Sequence, residues 1–141
     1  MTPILLDTSV IVALFDSTDA NHDLCDAAIA ELIQPFVTCE AVITEACYLL
    51  RKYPKAVEAI LANIESGVFR IPLRLERSVS SIRTIQRKYA DVPADFADVC
   101  LIQLADEIET GRILTLDAHF VQYRWRRNKP FELVIDLAKR R

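Results

Sequence analysis

The chain alternates short apolar runs with longer segments whose apolar residues recur at three- and four-residue spacing. The short runs fall at residues 3–6 (Pro-Ile-Leu-Leu), 35–38, 68–71, 112–116 and 131–135, and each predicts a buried strand. Between them the spacing predicts helices over 10–15, 19–34, 39–52, 54–67, 75–90, 93–110 and 118–125. Asp7-Thr8-Ser9 offers capping oxygens before the apolar Val10–Phe15 segment, and Pro54 and Pro93 suit helix starts. Arg51-Lys52 suits a helix C-terminus, and Gly67 and Gly111 stand where two helices should stop. Strands that alternate with helices in this way predict an α/β fold. Its core is a short parallel sheet of about five strands, covered on both faces in three α/β/α layers. In such sheets, sites gather beyond the carboxyl ends of the strands, where the strand order reverses.

Composition narrows the picture. The 141 residues suit one domain spanning 1–141, large enough to bury a core without a disulfide or metal staple. Two glycines are too few for a glycine-rich phosphate loop. No apolar run approaches the ~20 residues of a membrane span, and the N-terminal residues carry no basic region before an apolar one. A cytoplasmic location with no membrane partner is therefore expected. Cys25, Cys39, Cys47 and Cys100 form no CxxC pair and read as small buried hydrophobes. His22 and His119 are isolated, which argues against a zinc site.

Four of the 20 acids occupy positions where solvated acids do not belong. Asp7 and Asp117 each follow a buried-type strand, so each stands at a strand's carboxyl end. Glu45 has Ala41, Val42 and Leu49 one turn away, and Asp98 has Ala94, Leu101 and Ile102, so both project from apolar helix faces. Asp95 precedes Asp98 on nearly the same face. A buried carboxylate without a partner costs several kcal/mol, and the sequence offers few inward-facing cations. Asp7 and Asp117 also fit a plain capping role. Taken together, the four acids point to a multivalent cation. Oxygen ligands without His or Cys select a hard one, Mg²⁺ or Mn²⁺, whose characteristic chemistry is phosphoryl transfer and phosphodiester hydrolysis.

The same residues resemble a known family. Ile4-Leu5-Leu6-Asp7-Thr8-Ser9-Val10 looks like the opening of PIN-domain nucleases. Val42-Ile43-Thr44-Glu45-Ala46, Pro93-Ala94-Asp95-Phe96-Ala97-Asp98-Val99 and Leu114-Thr115-Leu116-Asp117-Ala118-His119-Phe120 resemble their later acidic positions, in order. The likeness covers essentially the whole chain, and the length suits the toxins of VapBC-type toxin–antitoxin modules. The resemblance implies Asp7, Glu45, Asp98 and Asp117 as catalytic metal ligands, with Asp95 accessory and with Thr8, Ser9 and Thr115 as supporting hydroxyls. It further implies an endoribonuclease that acts on RNA, a small cognate antitoxin and a homodimer. Ala118-His119 departs from the Arg or Asp common in the family, at no ligand position.

The net charge of −3 argues at first sight against a nucleic-acid partner, but its distribution does not. Residues 124–141 hold seven basic residues against Glu132 and Asp136. Within them, Arg124, Trp125, Arg126, Arg127 and Lys129 combine cations with a ring, a composition suited to a phosphate backbone and an unpaired base. The same stretch also reads as a solvated loop between helix and strand. Three functional readings follow: a metal-dependent endoribonuclease toxin, an RNA-processing nuclease of the same fold without an antitoxin, and a non-catalytic module that binds RNA or a protein partner.

Overall fold

Ile4, Leu5 and Leu6 have no exposed surface on either side, as expected of a central strand between two helical layers. In the computed structural model, which describes residues 2–33 and 35–141, they form β1 (Ile4–Leu6). Then follow α1 (Thr8–Phe15), α2 (His22–Ala30), β2 (Phe36–Val37), α3 (Glu40–Leu49), α4 (Pro54–Glu65), β3 (Phe69–Arg70) and α5 (Leu75–Lys88). The chain continues through α6 (Phe96–Ile108), β4 (Arg112–Leu114), a 3-10 turn at Ala118–Val121, β5 (Arg124–Trp125), β6 (Lys129–Pro130), β7 (Glu132–Leu133) and a last 3-10 turn at Leu137–Lys139.

Five strands make one sheet in the order β3-β2-β1-β4-β7, and every pairing in it is parallel. The sheet runs outward from β1 in both directions, so the order reverses between β1 and β4. A crevice opens there beyond the carboxyl ends of both strands. Helices α1 and α6 flank it: α1 packs on α2, α3 and α4, α6 packs on α5, and α3 touches both α1 and α6. Among the described residues no helix is long and apolar enough to cross a membrane. All four cysteines are free thiols, and Cys25, Cys39 and Cys100 are buried.

Three expected elements differ. The helix expected over 19–34 is α2, His22–Ala30, because a turn held by Asp16 and Asp19 fills the preceding residues; Gln34 lies outside the described residues. The helix expected from Pro93 starts at Phe96, because the Asp95 side chain takes the amide of Asp98 and so caps α6. The helix expected over 118–125 is one 3-10 turn followed by a strand. Arg126 and Arg127 adopt left-handed backbone angles of 42° and 72°, which turn the chain back so that β5 pairs antiparallel with β6. The basic stretch is thus a hairpin rather than a loop, fastened where the Trp125 indole lies over Gly111.

Candidate functional site

The crevice between β1 and β4 becomes a site because three elements end or begin there. Asp7 follows β1 and caps α1, accepting the Thr8 amide at 2.8 Å on Oδ1. Its other oxygen accepts the Thr115 hydroxyl at 2.6 Å, with Ser9 more distant at 3.5 Å. Asp117 caps the turn after β4, its Oδ1 taking the His119 amide at 2.9 Å, with the ring Nδ1 of His119 at 3.0 Å. Asp98 projects from the first turn of α6, where Tyr123 donates to its Oδ2 at 2.9 Å. Two hydroxyls cross-link the strand ends. Thr115 donates to Asp7 while accepting the Asp117 amide at 2.9 Å, and Ser9 accepts the Leu116 amide at 3.1 Å. The capping role and the clustering of these acids are therefore not alternatives: each cap uses one oxygen and leaves the carboxylate at the crevice.

Asp7, Asp98 and Asp117 each bring a carboxylate oxygen within 4.8 Å of the others. They line a cleft of about 450 Å³ with Thr8, Ser9, Asp19, Asn21, Glu45, Asp95 and Leu116. No Lys or Arg is among the lining residues. Asp7 and Asp98 are buried, at 4% and 6% exposure. Burial pushes the Asp7 carboxyl up to about 6, against the hydrogen bonds from Thr115 and Thr8, with the Asp117 charge adding to the rise. Burial and the neighbouring Asp95 and Asp7 charges push Asp98 up to about 8, opposed by the Tyr123 bond. Carboxyls held this far above their ordinary range lack a counter-charge. Three convergent oxygen donors of this kind could hold a hard divalent cation. Among the described residues the Thr8 hydroxyl, buried in the same wall, has no hydrogen-bond partner.

The structure brings together three of the four expected acids. Glu45, half-buried on α3, lines the cleft but stands outside the 4.8 Å group. Asp95 is exposed at the rim and serves as the α6 cap. Thr8, Ser9 and Thr115 all lie beside Asp7.

The basic hairpin lies elsewhere. Trp125 sits over Gly111 at the amino end of β4, opposite the cleft. The Arg126 amide bonds Asp106 and its guanidinium bonds Glu109. These acids lie two to three turns along α6 from Asp98, roughly 12–16 Å at 1.5 Å per residue. Arg124 donates to the carbonyls of Val121, Gln122 and Tyr123, and Lys129 rests over the Trp125 ring at 5.1 Å. Arg127 keeps its side chain exposed on the same hairpin.

Sequence reasoning missed Tyr123, Asn21 and Arg140. Tyr123 lay inside an expected helix, and its role needs the turn that ends at Val121. Asn21 lines the cleft from the turn before α2, and Arg140 touches Leu116 of its wall across 24 residues, a contact that no local pattern encodes.

The PIN domain family model matches residues 4–126. The chain is 29% identical over 119 residues to Ribonuclease VapC26 of Mycobacterium tuberculosis, covering 82% of this chain and 88% of that protein. Among solved structures it superposes on VapC20 of Mycobacterium tuberculosis, a sarcin–ricin loop cleaving toxin. The TM-score is 0.74 at 20% identity, over 81% of this chain and 89% of that one, and the likeness is one of fold.

Proposed function

This chain belongs to the PIN domain family, and from that premise we propose that it is a divalent-metal-dependent endoribonuclease, the toxin of a toxin–antitoxin pair. The observation that carries this reading is the convergence of Asp7, Asp98 and Asp117 within 4.8 Å, in a cleft lined by no cationic side chain. When ionised, such a group is self-repelling unless a cation offsets it, and its all-oxygen donor set suits Mg²⁺ or Mn²⁺. The unpartnered Thr8 hydroxyl in the same wall supports a polar occupant. A divalent cation held there supplies Lewis-acid activation of water and offsets charge at the phosphate.

The chain's own residues do the positioning. Thr115 and the Thr8 amide fix both oxygens of Asp7, Tyr123 fixes one oxygen of Asp98, and the His119 amide fixes one of Asp117. Each carboxylate thus enters the cleft in one orientation before substrate arrives, which removes a reorganisation cost from the reaction. Glu45 and Asp95 complete the acidic wall as outer carboxylates.

RNA as the substrate class is supported by the likeness to a ribonuclease. A cognate small antitoxin, a homodimer and a cytoplasmic location complete the reading. An apolar groove of about 830 Å³ that shares Glu45 and Asp95 with the cleft, and passes Tyr48, Leu73, Leu75 and Phe96, supports a protein partner beside the site. The described residues pack around one hydrophobic cluster, which supports a single domain over 1–141.

The test is incubation of purified protein with labelled cellular RNA, with and without Mg²⁺ or Mn²⁺, beside Asp98→Asn. Metal-dependent fragments from the wild type alone are expected. Equal cleavage in EDTA, or by the variant, overturns the reading.

A further inference from the structure

Among the described residues no Lys or Arg lines the cleft, yet its proposed substrate is a polyanion. Six acids, Asp7, Asp19, Glu45, Asp95, Asp98 and Asp117, line it. A cation held by Asp7, Asp98 and Asp117 would offset part of this charge within the group. It would do nothing for the phosphates on either side of the scissile one, which must pass the rim.

Two residues of the cleft wall lead to cations that lie further along the chain. Leu116, next to Asp117, accepts a hydrogen bond on its carbonyl from the Arg140 guanidinium at 3.1 Å. Asn21, on the turn before α2, clasps the backbone of Arg141 from both sides. Its Nδ2 donates to the Arg141 carbonyl at 3.1 Å, and its Oδ1 accepts the Arg141 amide. Asn21 is itself held by its amide on Asp19 at 2.8 Å. The 3-10 turn Leu137–Lys139 thus brings the Arg140 guanidinium and the Arg141 backbone against Leu116 and Asn21, two residues that line the acidic cleft. Both arginines are exposed, and among the described residues neither forms an ion pair. A guanidinium has five N–H donors, so the Leu116 bond leaves most of the Arg140 fork unused, in a geometry that matches two phosphate oxygens. Arg126, by contrast, is already paired with Glu109.

We propose that Arg140 and Arg141 form a phosphate-receiving rim that holds the RNA backbone beside the scissile bond, with Asn21 as the latch that keeps them there. The proposal rests on the endoribonuclease reading of the cleft. It moves the RNA contact from the basic hairpin to the segment after β7 that returns to Leu116 and Asn21. The rim acts on binding: it takes phosphates flanking the reacting one and leaves the chemistry to the carboxylates.

The experiment combines steady-state cleavage of a labelled single-stranded RNA in Mn²⁺ with direct binding of the same RNA by fluorescence anisotropy, both across a salt series. It compares wild type, Arg140→Gln/Arg141→Gln, Arg140→Lys/Arg141→Lys, Asn21→Ala and Arg126→Gln. The Gln pair should raise KM and Kd roughly tenfold with kcat within about twofold. It should also flatten the slope of log Kd against log salt by about 0.7 for each phosphate that is no longer neutralised. The Lys pair should recover part of the affinity, Asn21→Ala should weaken binding in the same direction, and Arg126→Gln should match wild type. A wild type that cuts RNA while the Gln pair keeps its KM, Kd and salt slope overturns the rim alone. A wild type that neither cuts nor binds RNA overturns the nuclease reading, and the rim with it.

Discussion

The phenol of Tyr123 donates to Oδ2 of Asp98 at 2.9 Å, and both residues are buried: Tyr123 wholly, Asp98 with 6% of its surface exposed. The Tyr123 ring meets Phe120 and Tyr89 edge-on, at centroid distances of 5.0 and 5.2 Å, so the core sets where its hydroxyl stands. Burial and the Asp98 charge hold the phenol well above its ordinary range, which keeps it a donor. Packing at one end of the protein is thereby converted into the orientation of one carboxylate in the cleft.

Tyr123→Phe tests that link. It keeps the ring and its packing and removes only the donor. Partners that orient a metal-binding carboxylate typically contribute 10–100-fold to affinity or activity, so a fall of about that size in kcat or in Mn²⁺ affinity is expected. The KM for RNA and the circular dichroism spectrum should stay at wild-type values. An unchanged kcat together with an unchanged Mn²⁺ dependence would show that Asp98 needs no such support.

The raised carboxyls predict how stability and metal binding change with pH. Burial holds the Asp7 carboxyl up at about 6 and the Asp98 carboxyl at about 8 in the metal-free fold, above the ordinary 3.8. Between 3.8 and each of those values the folded state holds more protons than the unfolded one, so the contribution is full in acid below 3.8 and is lost as pH rises, by about 6 for Asp7 and by about 8 for Asp98. A tenfold difference in proton affinity between the two states is worth about 1.4 kcal/mol. A divalent cation needs the ionised carboxylates, so its affinity changes in the opposite sense, rising with pH and releasing protons. Thermal melts in EDTA and in Mn²⁺ from about pH 5.5 to 8.5 should therefore diverge, with the metal-induced rise in Tm growing across the series. A rise that stays constant over this range would contradict the assignment of these two groups to metal binding.

Asp98→Asn separates stability from function at the same position. The neutral amide removes a charge that burial and Asp95 disfavour. In EDTA at about pH 8.5 the variant should melt several degrees above wild type, since ~1 kcal/mol moves Tm by roughly 3–4 °C in a chain of this size. It should cut no RNA and show no Mn²⁺-induced rise in Tm. A variant that melts lower than wild type in EDTA would mean that the Asp98 charge is compensated within the metal-free protein.

The strands and the acids at their ends were legible in the sequence because buried parallel strands are continuous apolar runs. Ile4–Leu6 and Arg112–Leu114 announce themselves, and the residues just after them must stand at the crevice. Helical spacing put Asp98 inward for the same kind of reason, and it is buried as expected. Glu45 shows the limit of that reasoning. An i±4 pattern fixes a face of α3, but the distance from that face to Asp7 depends on how α3 lies across α1 and α6. The segment after Asp117 was harder still. The periodicity of residues 118–125 suits a helix, and only the left-handed Arg126 and Arg127, together with the Trp125 seat on Gly111, turn it into a hairpin. Those are tertiary events, as is the return of Arg140 to Leu116 across 24 residues.

Gly111→Ala tests what that hairpin is for. A Cβ at Gly111 would fall 2.6 Å from Cε2 and 2.8 Å from Cδ1 of the Trp125 indole, and closer still to Nε1. The ring cannot simply swing away, because Nε1 donates to the Pro130 carbonyl at 3.1 Å and so ties β5 to β6. The backbone of Gly111 lies outside the left-handed region, so the cost is steric alone, about 1–3 kcal/mol for overpacking of this kind. A fall in Tm of roughly 3–10 °C follows. The clash lies at the amino end of β4, whereas Asp117 follows its carboxyl end, so the acidic cleft is not in its path. Below its melting temperature the variant should cut RNA with kcat/KM within about twofold of wild type. A folded variant whose KM for RNA rises severalfold would instead return the hairpin, with Trp125 and Lys129, to the substrate-binding surface.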